Sequence, residues 1–282
     1  MILTFRFKLA PTKAQYAALE RLRELQRQLY NACLQERCDA WSKNGISVTK
    51  IDQNKSLTQI RSFDEAYASV PVAMSRWSIA RVDDAFKGFF SRVKRGDKPG
   101  FPRFKGRSRW RSFGFVEWKG IRLKGEKLLF EGLVGGLKIR LHRPISGDTT
   151  IKSCTFTQHG RHWFVAMQID VPVAEAHAFP ESEVGIDVGV EHLVTTSDGV
   201  HIPNHRPRSR RERDLRLAQR ALARCRRGSR RRRKTRERLA LLQRRIANAR
   251  STYLHQVSAK LAREHAFIAV EKLKVRNMTG SA

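Results

Sequence analysis

Residues 206–250 constrain this chain more than any other part of its sequence, because 19 arginines and one lysine stand there against only three acidic residues. The segment carries a net charge of +17, more than half of the +31 of the whole chain. Its apolar residues nevertheless keep helical spacing, first from Leu215 to Cys225 and then from Leu239 to Leu261. The pattern predicts Arg-rich helices within residues 206–264. Like charges without counter-charges repel one another, so these basic faces predict a polyanionic partner.

The composition of the whole chain indicates that the partner is nucleic acid. The 282 residues include 57 Lys and Arg, of which 39 are Arg, against 26 Asp and Glu. The guanidinium group of arginine forms paired hydrogen bonds to phosphate and stacks on bases. An excess of basic over acidic residues this large is typical of proteins that lie along phosphate backbones. We therefore expect no small-molecule substrate. Hydrophobic residues make up 40% of the chain, enough to form a packed core.

The sequence also bears on the compartment. It contains no apolar run approaching the ~20 residues of a membrane span, and its N-terminus lacks the charged leader and apolar block of a signal peptide. The four cysteines are far apart and form no CxxC pair, which argues against a disulfide framework or a four-cysteine zinc site. We expect a cytoplasmic, reduced protein that does not bind a membrane.

Hydrophobic periodicity predicts the elements of the N-terminal part. Residues 2–9 alternate between apolar and polar side chains, as in a strand with one buried face. Helices are predicted from Thr12 to residue 41, opened by a capping box with Gln15, and over 71–94, with Phe86 and Phe89 on the apolar face. From residue 101 the period changes to two. Strands are predicted at 112–118, 137–141, 151–157 and 163–171.

These elements predict an α+β multidomain fold. Its first part is a β-barrel built from residues 1–10 and 101–175 and interrupted by a helical nucleic-acid-recognition insert, residues 11–100. Residues 176–182 lack apolar periodicity and predict a linker. Its last part, residues 183–282, contains the Arg-rich helices between predicted strands. Those strands are at 184–188, 193–196, 200–202 and 267–270.

Two acidic residues stand at the ends of apolar strands. Asp187 lies in Val184-Gly185-Ile186-Asp187-Val188-Gly189, and Glu271 follows Ile268-Ala269-Val270. An acid buried in such a strand is costly without a partner, and neighbouring carboxylates can share a divalent metal ion. Each acid also has a purely structural interpretation, because Asp187 could cap a turn and Glu271 could begin a loop. The local pattern leaves both interpretations open.

Several segments together resemble one protein family. GIDVGVEHLVTTSDG, residues 185–199, resembles the first RuvC motif of the TnpB family, also called OrfB, which bacterial insertion sequences carry. AFIAVEKLKVRNM, residues 266–278, resembles its second RuvC motif. The segment APTKAQYAALERLRELQRQLYNACL resembles the family's helical N-terminal region, and KPGFPRFKGRSRWRSF resembles the stretch that enters its β-barrel. The resemblance covers essentially the whole chain in order.

The resemblance implies a function. The TnpB family comprises RNA-guided DNA endonucleases related to type V CRISPR effectors, and its members are often called transposases. It implies a RuvC domain of RNase H-like fold, and guide RNA and target DNA as partners. Asp187 and Glu271 match the first two catalytic acids, which implies that they hold Mg²⁺ or Mn²⁺.

The sequence departs from the family's pattern after the second motif. The family continues into a four-cysteine zinc ribbon and a third catalytic Asp, and neither occurs in this sequence. We therefore expect a RuvC domain that is incomplete at its C-terminus, in a fragment or a truncated copy, with no zinc in this chain. We also expect the isolated chain to bind structured RNA and to cut DNA poorly. The alternative is a catalytically incomplete protein that binds guide RNA or DNA without cutting it.

Cations for phosphate contacts are predicted in a loop and in the Arg-rich helices. In the loop between residues 94 and 119 they are Arg103, Lys105, Arg107, Arg109 and Arg111. In the helical segment they are Arg226, Arg227, Arg230, Arg231, Arg232, Arg233 and Lys234. Rings alternate with the loop cations, and we predict that Phe113, Phe115 and Trp118 belong to the core.

Two further patterns are weaker. His201 and His205 have a metal-like spacing, but they flank Pro203, so we predict a surface loop. A strand carrying Asp and Gly before a hairpin also resembles the phosphate loop of the actin and sugar-kinase superfamily. A kinase of that kind does not require a net charge of +31, and this argues against the kinase interpretation.

Overall fold

The N-terminal strand β1 (Ile2–Ala10) lies in the middle of a curled antiparallel sheet. The structure is a computed structural model that describes residues 1–145, 149–171 and 182–271. Within those ranges the sheet has seven strands, in the order β2-β6-β7-β1-β5-β4-β3. The other strands are β2 (Ser112–Phe115), β3 (Ile121–Lys124), β4 (Lys127–Phe130), β5 (Leu137–Arg140), β6 (Thr150–His159) and β7 (His162–Asp170).

The sheet is a half-barrel and not the predicted β-barrel. In the part of the chain that is described, the end strands β2 and β3 do not pair with each other, so the sheet stays open. One face of the sheet is apolar because alternate residues of β1 and β7 lie on it in register, with Phe5 opposite Met167 and Phe7 opposite Val165. Fully buried aromatic rings of β2, β6 and β7 lie on the same face of the sheet. They are Phe113, Phe115, Phe156 and Trp163.

Helices lie between β1 and β2 in the chain. They are α1 (Lys13–Asn44), α2 (Lys50–Phe63), the short α3 (Glu65–Ala68) and α4 (Val72–Lys94). The predicted capping box is confirmed, because the Thr12 hydroxyl accepts from the Gln15 N–H while the Gln15 side chain accepts from the Thr12 N–H. α1 ends at Gly45, whose φ of 65° is the left-handed conformation that glycine adopts without strain. α2 was not predicted, although Thr49 and Asp52 form a second capping box at its start.

A separate unit follows the first. The chain divides into Met1–Val173 and Ala174–Ala282. The predicted linker, residues 176–182, lies outside the described residues except for Ser182. The residue limits predicted for the domains remain a prediction. No helix in the described ranges is long and apolar enough to cross a membrane.

The second unit contains a smaller sheet and the Arg-rich helices. The strands are β8 (Glu183–Asp187), β9 (His192–Thr196), β10 (His201–Pro203) and β11 (Phe267–Val270), and the helices are α5 (Glu212–Ala223) and α6 (Arg230–Glu264). Where the chain is described, the sheet order is β10-β9-β8-β11, and β11 runs parallel to β8. α6 buries Val257 and Leu261 against Val194 of the sheet. The predicted strands and basic helices are thus confirmed.

One glycine lets α4 pack against the half-barrel. A Cβ atom at Gly114 of β2 would lie 2.4 Å from the Cys154 carbonyl oxygen and 2.6 Å from Nε1 of Trp77 on α4. Backbone cannot yield as a flexible side chain does, so Gly114 is required by close packing. At Gly106, by contrast, an added Cβ would meet nothing within 4 Å.

We therefore expect Gly114→Ala to destabilise the chain and Gly106→Ala to leave its stability nearly unchanged. Overpacking of this kind typically costs about 1–3 kcal/mol. Thermal denaturation followed by circular dichroism measures both. A Gly114→Ala variant as stable as the parent would contradict the packing described for α4.

Candidate active site and nucleic-acid interface

Asp187 and Glu271 lie side by side at one end of the smaller sheet. Asp187 is the last residue of β8, and Glu271 directly follows β11. The parallel register pairs Ala269 with Gly185 and Val270 with Ile186. One step further along this register places Glu271 next to Asp187. Neighbouring strands lie about 4.8 Å apart, and paired residues of parallel strands share a face, so the two acids belong to the same side of the sheet.

The register is fixed at the opposite end of the strand pair. The Ala266 N–H donates to the Ser182 carbonyl oxygen at 2.8 Å, and the Ser182 hydroxyl donates to the Glu264 carbonyl oxygen at 2.5 Å. These bonds join the end of α6 to the residue that precedes β8. The acids are therefore brought together by the backbone of the sheet.

Both acids line a shallow depression of about 410 Å³. Its other lining residues are Gly185, Ile186, Thr195, Thr196, Ser197, Ala269 and Val270. Thr195 is paired with Asp187 across the antiparallel β8–β9 ladder. The Ser197 hydroxyl accepts from the Gly185 N–H at 3.2 Å. Sequence reasoning missed these hydroxyl groups, although the alternation along β9 was the available signal.

The depression is open to solvent. Asp187 and Glu271 are both exposed, so neither acid bears the cost of burial in an apolar strand. The physical reason is their position at the strand ends, beyond the residues that α6 covers. Their charges consequently need no partner for stability, and they are accessible to a ligand. Gly185 is not sterically required either, because an added Cβ would be 3.6 Å from the Cβ of Ser197, an ordinary contact.

Metal ligands are sparse around this pair. Within the described ranges there is no group of three or more His, Cys, Asp or Glu side chains that could hold a metal ion. The two histidines with metal-like spacing do not converge. His201 belongs to β10, not to the predicted loop, and its ring stacks on His192 at 4.5 Å, whereas the ring of His205 stacks on Tyr253 at 4.9 Å.

The predicted cations of the first unit lie on a loop that α1 holds in place. The Lys105 N–H donates to Oδ1 of Asn31 at 2.8 Å, and its carbonyl oxygen accepts from Arg27 at 2.8 Å. Arg103, Arg109 and Arg111 are exposed, whereas Lys105 is half-buried. The prediction that Phe113, Phe115 and Trp118 pack in the core is confirmed.

Arg107 differs from the other loop arginines. Its Nε lies 3.1 Å from Oε2 of Glu24, so part of its charge is neutralised within the chain. The hydrogen bond from Arg27 holds the pKa of Glu24 below its usual value; burial opposes this, and Arg107 lowers the pKa further. Glu24 is therefore ionised at neutral pH and competes with phosphate for Arg107.

The predicted cations of the second unit lie at the turn between α5 and α6. All are exposed except Arg232, which is half-buried. The Arg232 guanidinium donates to the carbonyl oxygens of Leu222 and Cys225, at 3.0 and 2.9 Å. It thereby joins the start of α6 to the end of α5, where the Leu222 carbonyl oxygen also accepts from the Cys225 N–H. The Arg232 guanidinium is engaged in these hydrogen bonds, so the basic residues next to it form the surface that is available to a ligand.

A family model described as "Probable transposase" matches residues 166–282, and a helix-turn-helix model of the same family matches residues 1–45. The curated relatives are named "Putative RNA-guided DNA endonuclease". One from Streptomyces pristinaespiralis is 29% identical over 97% of this chain and 67% of its own length. InsQ from Escherichia coli (strain K12) is 28% identical over 99% of this chain and 68% of its own length.

The chain thus spans about two thirds of the length of the relatives that it matches. Among solved structures, the Cas12f1 chain of a complex with sgRNA and target DNA has a similar fold. The TM-score is 0.57 at 14% identity, over 94% of this chain and 66% of the other. Both terminal regions match models of one family, and the curated matches run over nearly the whole chain. The chain therefore belongs to the OrfB, or TnpB, family.

Proposed function

We propose that this chain carries the guide-RNA and target-DNA surfaces and two catalytic acids of an RNA-guided DNA endonuclease. The observation that carries the proposal is the in-register placement of Asp187 and Glu271 on adjacent parallel strands, at one solvent-open depression. Relatives of similar sequence are named as RNA-guided DNA endonucleases, which supports the assignment.

The order of the smaller sheet supports an RNase H-like, RuvC-type domain. Three antiparallel strands, β8 to β10, are followed by helices and then by β11 parallel to β8, within the described ranges. This connection places the ends of β8 and β11 at the same edge of the sheet. In such a domain Asp187 at the end of β8 and Glu271 directly after β11 would be the acids that meet the substrate.

The acid pair fits Mg²⁺ or Mn²⁺. Carboxylate oxygens are the hard ligands that these ions prefer, and both acids are exposed enough to bind one. A bound ion would lower the pKa of water and offset charge on a phosphodiester. The role of Asp187 and Glu271 is to hold it. The hydroxyl groups of Thr195 and Ser197 lie in the same depression, where they can hydrogen-bond to phosphate oxygens.

The turn between α5 and α6 and the start of α6, residues 226–234, form a basic turn. Its energetics support a nucleic-acid partner. α6 begins with four consecutive arginines and has no acidic residue in its first turn. The N-terminus of a helix already carries a partial positive charge, so each cation there is unfavourable by about 0.3–1 kcal/mol. An arrangement that opposes folding is explained by a polyanion that binds to it. The Cas12f1 chain of similar fold was solved with sgRNA and target DNA, and we propose guide RNA and target DNA for this chain.

The alternative function is a protein that binds nucleic acid without cutting it. The observation in its favour is that, among the described residues, no third His, Cys, Asp or Glu side chain joins the acid pair. A pair of carboxylates binds a divalent ion less tightly than a larger set of ligands. The two functions differ in one measurable property, which is cleavage by the chain while nucleic acid is bound.

We expect Asp187→Asn and Glu271→Gln each to reduce Mg²⁺-dependent DNA cleavage with a cognate guide RNA by at least about 10²-fold, the usual cost of losing one transition-state contact. Both substitutions preserve side-chain size, so guide-RNA affinity should remain within about twofold. Glu183→Gln, at the other end of β8, is the matched control and should cut like the parent.

The outcomes are distinct. Equal cleavage by the parent and both variants would contradict the catalytic role of the pair. Tight RNA binding without any cleavage by the parent would establish the alternative function. In that case Asp187 and Glu271 would have no measurable effect.

The basic turn yields a second test. We expect the triple substitution of Arg230, Arg231 and Arg233 by Ala to weaken binding almost uniformly across sequences. The log–log salt dependence of binding should fall by about 0.9 for each lost contact with duplex DNA, or 0.7 with a single strand. Fluorescence anisotropy over a salt series measures both quantities.

Arg232→Ala is the matched control. Because Arg232 bonds to carbonyl groups of the turn, we expect it to lower stability by about 1–3 kcal/mol and to leave the salt dependence nearly unchanged. The opposite result, a lower salt slope without loss of stability, would show that Arg232 contacts phosphate.

A further inference from the structure

A partly exposed group of phenylalanine rings lies where α4 ends and the loop of residues 94–119 begins. This ring cluster consists of Phe86, Phe89, Phe90 and Phe101. Phe90 packs on Phe89 with ring centroids 5.1 Å apart, and Phe101 packs on both Phe89 at 5.3 Å and Phe86 at 5.7 Å. Phe90 is nevertheless 60% exposed and Phe101 51% exposed.

Hydrogen bonds within the loop hold the ring cluster in place. The Arg92 side chain on α4 donates to the carbonyl oxygens of Pro99 and Gly100, and the Asp97 N–H donates to the Arg92 carbonyl oxygen at 3.0 Å. These bonds fold the loop back so that Phe101 rests on α4. On the other side, the guanidinium of Arg37 lies over the Phe86 ring at 5.3 Å. The outer faces of Phe90 and Phe101 remain uncovered.

The exposure of these rings is not explained by packing. Aromatic residues that stabilise the half-barrel are fully buried, as Phe113 and Phe156 are. A contiguous apolar patch on the surface costs solvation free energy and marks an interaction site. Val93, 50% exposed and one helical turn beyond Phe90, extends the patch along α4.

The charge around the ring cluster identifies the occupant. Between residues 83 and 111 the sequence has ten basic residues and three acids, Asp83, Asp84 and Asp97, and Asp83 is paired with Arg37 and Lys87. A second copy of the chain would bring an equally basic surface, so self-association there is opposed by repulsion. The occupant must pair with the basic residues and also present flat aromatic faces to the phenylalanine rings. A nucleic acid does both, through its phosphates and its bases. The bases must be unpaired, because neighbouring base pairs cover base faces in a duplex.

We propose that the ring cluster is a stacking platform for unpaired bases, with Phe90 and Phe101 supplying the stacking faces. Lys94, Lys98 and Arg103 lie next to these rings in the sequence, where they can contact the flanking phosphates. The proposal rests on the proposed nucleic-acid binding and adds a contact that depends on bases. Stacking does not read sequence, so the platform should accept different bases.

The test uses the full chain and two short, fluorescently labelled RNA strands: oligo(U), and an abasic strand with the same sugar–phosphate backbone. We expect the parent to bind oligo(U) about tenfold tighter than the abasic strand, the effect of stacking one base. F90A/F101A should lose most of this preference. Its affinity for the abasic strand and its salt dependence should stay unchanged, because the phosphate contacts remain.

Two control variants separate stacking from folding. Phe63→Ala removes a ring that is 76% exposed and is followed by Asp64 and Glu65, so its affinity for both strands should equal that of the parent. F90W/F101W keeps aromatic faces and should retain the preference for oligo(U). Equal melting temperatures for the parent and F90A/F101A would show that the fold is intact.

Other results would overturn the proposal. A parent that binds both strands equally, or a preference that persists in F90A/F101A, would show that the rings do not stack on bases, while the proposed function would stand. No binding of either strand would contradict the proposed function itself. A parent dimer that dissociates in F90A/F101A would assign the ring cluster to self-association.

Discussion

The parallel pairing of β11 with β8 is the contact on which the candidate active site depends. Asp187 and Glu271 are far apart in sequence, and α5 and α6 lie between them. α6 returns the chain and buries Val257 and Leu261 against Val194, while Ser182 ties its end to the start of β8. A slip of the register by one residue would turn Glu271 to the opposite face of the sheet. The geometry of the acids is thus a consequence of backbone pairing and a small apolar core.

Uncompensated positive charge is the second constraint. The arginines at the start of α6 repel one another and oppose the helix dipole, and in the described residues the core of this unit is small. A polyanion that binds only the folded form would add stability that grows with the logarithm of its concentration relative to its dissociation constant. The interface and the stability of the unit are therefore linked. In the first unit the repulsion between like charges is smaller. α1 holds the loop of residues 94–119 in place, and Glu24 neutralises part of the charge of Arg107.

The sequence predicted elements with strong periodicity and missed those without it. The alternation in 163–171 and the Thr12–Gln15 capping box were sufficient for β7 and α1. The hairpin strands β3 and β4 are only four residues each, too short for a period-two pattern to stand out. In α2 the buried residues are Gln53 and Leu57, so little apolar periodicity marks the helix.

The sequence predicted the strands that carry the two acids and not the surroundings of the strand ends. Apolar residues before Asp187 and Glu271 predicted strands, but sequence cannot tell that the strand ends are open. Arg232 has the same sequence surroundings as Arg231, and only the turn distinguishes them. Phe86 and Phe89 keep the helical spacing of a core stripe, and this spacing does not reveal that both are only half-buried.

Binding of Mn²⁺ to the full chain, followed by electron paramagnetic resonance, tests most directly whether Asp187 and Glu271 form one site. The account predicts that Asp187→Asn and Glu271→Gln each weaken binding, and that the double variant is little worse than either, because residues that share a ligand are not additive. Glu183→Gln should bind like the parent. Losses that simply add in the double variant, or unchanged binding in either single variant, would contradict a shared site.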